Sequence, residues 1–115
     1  MSKRAPALLI DDMLECIGKI NGYLEGLTFE QFLEDNKTID AVIRNFEIIG
    51  EAANRLPEDS KNRFTDIDWQ RIRGFRNRIV HDYMGIDFQI VWTVIEKYLP
   101  DLRNQLLAAK EVHTD

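Results

Sequence analysis

The 115 residues predict an all-α fold, an antiparallel bundle of four to five helices joined by short loops and forming one domain over residues 1–115. Three observations carry this. Apolar side chains recur at three- and four-residue spacing along nearly the whole chain, which gathers them on one face of a helix. Residues suited to start or stop helices fall between those stripes. No segment shows the apolar–polar alternation of a half-buried strand.

Pro6 suits a first helical turn, where its missing N–H would be unpaired anyway. Leu9, Met13, Cys16, Ile17, Ile20 and Leu24 then form one stripe, weakened by Asn21-Gly22 and closed by Gly26. Cys16 lies inside that stripe and reads as a small core residue rather than a reactive thiol. Thr28 with Gln31 is a capping box and opens a short helix to about Leu33. Asp35-Asn36-Lys37 marks a break or kink. Ile39, Val42, Phe46, Ile49, Ala53 and Leu56 make the next stripe, and Pro57 ends it because the residue before proline avoids helical geometry. A further turn of helix is expected from Glu58 to Phe64.

Asp68 can cap a helix from Trp69 to about Asp82, with Gly85 as terminator. Asp87 can cap a last helix with a core stripe of Val91, Ile95, Tyr98, Leu102, Leu106 and Ala109. Pro100 falls inside that pattern and should kink it by removing a backbone hydrogen bond. The tail from Glu111, including His113, is expected to fray.

Hydrophobic residues make up 44% and charged residues 30%, a composition that excludes a disordered chain. The single cysteine excludes an intrachain disulfide and points to a reducing, cytoplasmic compartment. The longest apolar run, Ala5 to Ile10, is far short of the ~20 residues a membrane span needs, and Asp11-Asp12 cut it off too early for a signal peptide. A net charge of −5 argues, taken whole, against nucleic acid. The average hides a reversal. From Lys61 to His81 six basic residues face two acidic ones, a local +4 that leaves −9 for the rest.

That stretch carries Arg71, Arg73, Arg76, Arg78 and His81. A basic strip on an acidic chain marks an anionic partner, or else a solvated face paired with the acidic helix that holds Glu47 and Glu51. At about 100° per residue, Trp69, Ile72, Ile79, Val80 and Tyr83 converge on one face, with Arg76 pointing into it. An arginine there needs a carboxylate partner or a cleft that binds an anion. Asn77 and His81 share another side, together with Gly74, whose place in a helix suggests close approach by some neighbour. Arg76 and His81 diverge by about 140°, so a second copy of the chain could complete a site between them.

The string from Arg76 to Tyr83, Arg-Asn-Arg-Ile-Val-His-Asp-Tyr, resembles the Arg-x-x-x-x-His-x-Tyr motif of the HEPN superfamily, in particular the HepT-like toxins. The likeness takes in Ile39 to Ala53, Leu56-Pro57 and Trp69, covers nearly the whole chain, and shows no departure from the motif. It implies an all-helical homodimer, a ribonuclease that works without metal or cofactor, and a small nucleotidyltransferase of the MNT type as the partner antitoxin. In that family the motif tyrosine, here Tyr83, is the one the partner modifies with AMP.

The residue types fit such chemistry. RNA cleavage without metal uses the ribose 2′-OH as internal nucleophile and needs proton transfer plus positive charge on the phosphorane. Histidine, whose charge changes near neutral pH, suits His81 to proton transfer. The forked guanidinium of Arg76 can give two charge-assisted hydrogen bonds to phosphate oxygens. Asn77 could orient either group. Arg71, Arg73 and Arg78 would draw in the RNA backbone without reading sequence. Glu47 and Glu51 share a helix face but lack an obvious third metal ligand. The expected function is therefore an endoribonuclease toxin silenced by AMPylation of Tyr83. The alternative is a non-catalytic helical subunit that binds a nucleotide or a nucleotidyltransferase through the same residues.

Overall fold

The computed structural model describes residues 4–81 and 85–113, with the side chain of residue 113 left out of the description. Seven α-helices and one π-helical turn occur among the described residues, and no strand. The helices are α1 (Pro6–Leu24), α2 (Phe29–Glu34), α3 (Asn36–Arg55), α4 (Glu58–Arg63), α5 (Trp69–His81), α6 (Phe88–Thr93) and α7 (Leu99–His113). The π turn, Val94–Tyr98, joins α6 to α7 without a break, so they act as one rod. Counted as packing bodies, the long helices are α1, α3, α5 and this rod. The expected four to five helices are thus supplemented by the short α2 and α4.

Local chemistry accounts for most boundaries. Pro6 occupies the first turn of α1, and the Ala5 carbonyl accepts from the N–H groups of Leu8 and Leu9. Gly26 takes a φ of 79°, a left-handed conformation that costs glycine nothing. Thr28 and Gln31 form both halves of the expected capping box. The expected break at Asp35-Asn36-Lys37 narrows to Asp35 alone. Its carboxylate accepts from the Thr38 N–H at 3.1 Å and the Thr38 hydroxyl at 2.7 Å, which starts α3 one residue after α2 ends. Those bonds, the side-chain one foremost, hold the Asp35 carboxyl below its ordinary value of 3.8.

α1 packs on α3 and on α7, and α3 packs on α5 along its other side. The predicted stripes of α1 and α3 are buried throughout, including Cys16, whose thiol is pushed up by that burial. Phe29, Phe32, Phe88 and Trp92 form an aromatic cluster that ties α2 to α6, with ring centroids 5.4–6.2 Å apart.

Two expectations about the last helix fail for one reason. Pro100 has no N–H to donate, and its ring would collide with the carbonyl four residues earlier in a regular helix. The preceding turn is widened into the π segment, which is how the chain accommodates it. The widened turn changes the facing of the residues beside it. Tyr98, expected in the core, is 44% exposed, and Leu99, outside the expected stripe, is buried at 2%. The tail also departs from expectation, because α7 runs on to His113. No helix is long and apolar enough to cross a membrane among the described residues.

Candidate functional site

The start of α5 is tightly fixed. Asp68 caps it by accepting from the Arg71 N–H at 3.0 Å. The Trp69 indole N–H is shared between the carbonyls of Lys61 and Phe64, both at 3.2 Å, which clamps α5 over the end of α4. The Gln105 amide donates to the Asp66 carbonyl at 2.9 Å and ties the intervening loop to α7.

Along α5 the buried side differs from the sequence expectation. Ile79 is buried, and Trp69, Ile72 and Phe75 are half-buried against the core, Phe75 meeting Phe46 of α3 edge-on with centroids 5.0 Å apart. Val80, expected on the apolar face, is 42% exposed. The face is rotated toward Phe75, which leaves Arg76 on its flank beside α3 rather than in its middle. Phe75 was missed because it lies among arginines, yet its spacing of three from Ile72 and four from Ile79 marks it.

Arg76 finds the carboxylate its position calls for. Its Nη2 lies 3.5 Å from Oε2 of Glu51, which also meets Arg55 Nη2 at 3.4 Å. The Arg76 stem crosses Gly50, where α3 has no Cβ to obstruct it. Its Nε is buried and has no hydrogen-bond partner among the described residues, so the guanidinium is held from one edge only. At Gly74 no neighbour among the described residues makes the close approach expected there, since a Cβ would meet nothing within 4 Å. Gly50 is the close-approach glycine, and its signal in the sequence was a lone glycine in mid-helix.

Asn77 is half-buried and His81 is exposed in the last turn of α5; neither side chain makes a hydrogen bond to another described residue. By helical geometry they share a side pointing away from the buried face, one turn apart. The structure therefore brings Asn77 and His81 together. It does not bring Arg76 to His81, because the guanidinium is turned to α3. Arg71 stacks over the Tyr98 ring at 4.5 Å and pairs with Asp68 at 3.9 Å. Arg73 and Arg78 are exposed, with no ion pair among the described residues. Arg71 and Arg78, seven residues apart, share one side of α5, whereas Arg73 lies on another and Arg76 is turned to α3, so the four do not form one patch. Tyr83, proposed for modification, falls among residues 82–84 and lies outside the described residues, as does the end of the motif helix expected at Asp82.

A cleft of about 620 Å³ opens at the other end of α5. Lys61 and Arg73 face Glu58, Asp66 and Asp68 across it. That balance of charge does not favour a polyanion, so the cleft is not the centre of the site. No group of three or more His, Cys, Asp and Glu side chains with a metal-binding arrangement occurs among the described residues, and Glu47 and Glu51 remain a pair.

The motif helix of this all-helical chain thus presents an arginine on one flank and Asn77 with His81 on its open side. Comparison with known proteins gives the family. Residues 13–109 match the HepT-like ribonuclease family. A candidate RNase of Methanocaldococcus jannaschii is 36% identical over 101 residues, covering 88% of this chain and 84% of that one. A candidate HepT ribonuclease of Thermococcus cleftensis is 35% identical over 103 residues, or 90% and 94% of the two chains. A candidate RNase of Caldanaerobacter subterraneus is 35% identical over 83 residues, or 72% and 74%. No solved structure matches the chain with significance. The chain belongs to the HepT-like ribonuclease family.

Proposed function

We propose that this member of the family is a metal-independent endoribonuclease toxin that cuts RNA through the ribose 2′-OH, with Arg76 and His81 as its catalytic residues. The observation that carries the reading is the separation of the two on α5. Arg76 is packed on α3 with one edge of its guanidinium on Glu51, and His81 stands free with Asn77 on the open side. One chain offers a single motif histidine, while 2′-OH attack needs a proton acceptor at the nucleophile and a donor at the leaving 5′-oxygen. Two chains with α5 apposed would supply both, and would set Arg76 of each beside a shared cleft. Homodimerisation is part of the proposal. The exposed Ile48 of α3 and Val80 of α5 are the apolar groups available to such an interface.

Within the dimer, Arg76 would leave Glu51 for the non-bridging phosphate oxygens as charge builds on the phosphorane. Arg73 and Arg78 are free to meet flanking phosphates, and Arg71 could join them by giving up its stack on Tyr98. Tyr83 would serve as the off switch. An AMP on its hydroxyl, added by a partner nucleotidyltransferase of the MNT type, puts a fixed phosphodiester near the arginine meant for substrate.

Purified protein is incubated with RNA in excess EDTA beside a His81→Ala control, and its mass is measured by light scattering. A cutting dimer that His81→Ala silences supports the reading. A monomer that binds RNA without cutting it supports instead a non-catalytic nucleotide-binding subunit.

A further inference from the structure

Gly50 lies deep within α3, although glycine is among the poorest helix formers. It is buried, and a Cβ built on it would overlap Cβ and Cγ of Arg76. Those atoms are the root of the arginine side chain rather than its flexible tip. Relief would require α5 to move away from α3. The other helical glycines differ, since Gly18, Gly22 and Gly74 face open space and would accept a Cβ freely. At Gly50, therefore, the two helices come too close for a Cβ, and the residue against it is the motif arginine. Just beyond it, Glu51 takes the other end of the same side chain at 3.5 Å.

We propose that Gly50 is a positioning residue. By lacking a Cβ it lets the Arg76 stem lie on the α3 backbone, and so sets where the guanidinium stands when RNA arrives. The consequence for catalysis rests on the ribonuclease reading above; the contact itself does not. A shift of about 1 Å in a group that stabilises a transition state costs roughly 100-fold in rate. Binding of RNA should change little, because Arg71, Arg73 and Arg78 move together with α5 and stay exposed on it.

The test uses full-length wild type, Gly50→Ala, Arg76→Gly and the double variant, with Ile17→Val in α1 as a core control away from the site. Thermal melts need no activity. Gly50→Ala should lower Tm when Arg76 is present and leave it unchanged or raised in the Arg76→Gly background, where the collision is gone. An equal loss in both backgrounds would overturn the proposal. In cleavage assays, Gly50→Ala should lose about 100-fold in kcat with KM within a few-fold, and Ile17→Val should keep its kcat. A folded Gly50→Ala with wild-type kcat, or an Ile17→Val with the same kcat loss, would also overturn it. Should Gly50→Ala fail to fold, recovery of a cooperative melt in the double variant supports the contact, and an unfolded double variant refutes it. A wild type that cuts no RNA removes the ribonuclease reading, and the melts still decide the role of Gly50 at the helix contact.

Discussion

Removing the motif arginine should cost activity and very little stability, and the structure shows why. In Arg76→Ala three contributions change. The ion pair with Glu51 is lost, but at 3.5 Å, with the carboxylate half exposed, it contributes about 0–1 kcal/mol. The stem that crosses Gly50 leaves the interface, which at ~0.8 kcal/mol per buried methylene costs up to about 2 kcal/mol. Against these, the variant no longer buries an unpaired Nε, a burden of about 1–3 kcal/mol. Between limits of about 2 kcal/mol lost and about 3 kcal/mol gained the middle values nearly cancel, a change of a few degrees in Tm for a domain of this size. Loss of one charge-stabilising group should slow cleavage by roughly 10²–10³-fold, or about 2.7–4 kcal/mol on the barrier. Melts followed by circular dichroism, paired with single-turnover cleavage of RNA, separate the two. A variant that keeps full activity, or one destabilised by more than about 3 kcal/mol, would contradict the assignment and make Arg76 a structural residue.

Further outcomes test other parts of the account. Leu99→Ala should cost about 2–5 kcal/mol as a fully buried truncation, whereas Tyr98→Ala loses chiefly an exposed stack on Arg71 worth about 0.5–1 kcal/mol; denaturant titration giving the reverse order would refute the register set by the π turn. Asp35 has a carboxyl lowered by its bonds to Thr38, so its contribution is present above the unfolded value and lost as pH falls through the folded one. Asp35→Ala should therefore lower Tm at pH 7 and cost progressively less as pH falls below the ordinary carboxylate range, and a loss that does not shrink in acid would sink the cap assignment. Tyr83→Phe should remain a ribonuclease that the cognate nucleotidyltransferase with ATP can no longer silence, while mass spectrometry of the co-expressed wild type should find AMP on the Tyr83 peptide; silencing of Tyr83→Phe would mean that the partner inhibits by binding alone.

The fold was legible wherever one helix obeyed one rule. The stripes of α1 and α3, the Thr28 capping box and the Asp68 and Asp87 caps follow from local spacing and are all present. Reading failed where helix geometry changed inside an element. The π turn before Pro100 adds width that a regular period cannot anticipate, so Tyr98 and Leu99 exchanged places. At the site, the motif string drew attention to Arg76, Asn77 and His81, and charge pointed to the acidic helix as a partner. Charge alone did not pick out Glu51 from Glu47, because the choice depends on which turn of α3 meets Arg76. Gly50 was hidden for the same reason. A close approach of two helices belongs to their pairing, and reading one helix at a time pointed to the glycine at 74 instead.

The most direct measurement compares two RNA oligonucleotides of one sequence in excess EDTA, one all-ribose and one with 2′-deoxyribose at the scissile nucleotide. The account predicts that the first is cut to a 2′,3′-cyclic phosphate or 3′-phosphate end, and that the second is bound with similar affinity and left intact. Cleavage of the deoxy substrate, or activity that EDTA abolishes and magnesium restores, would contradict it.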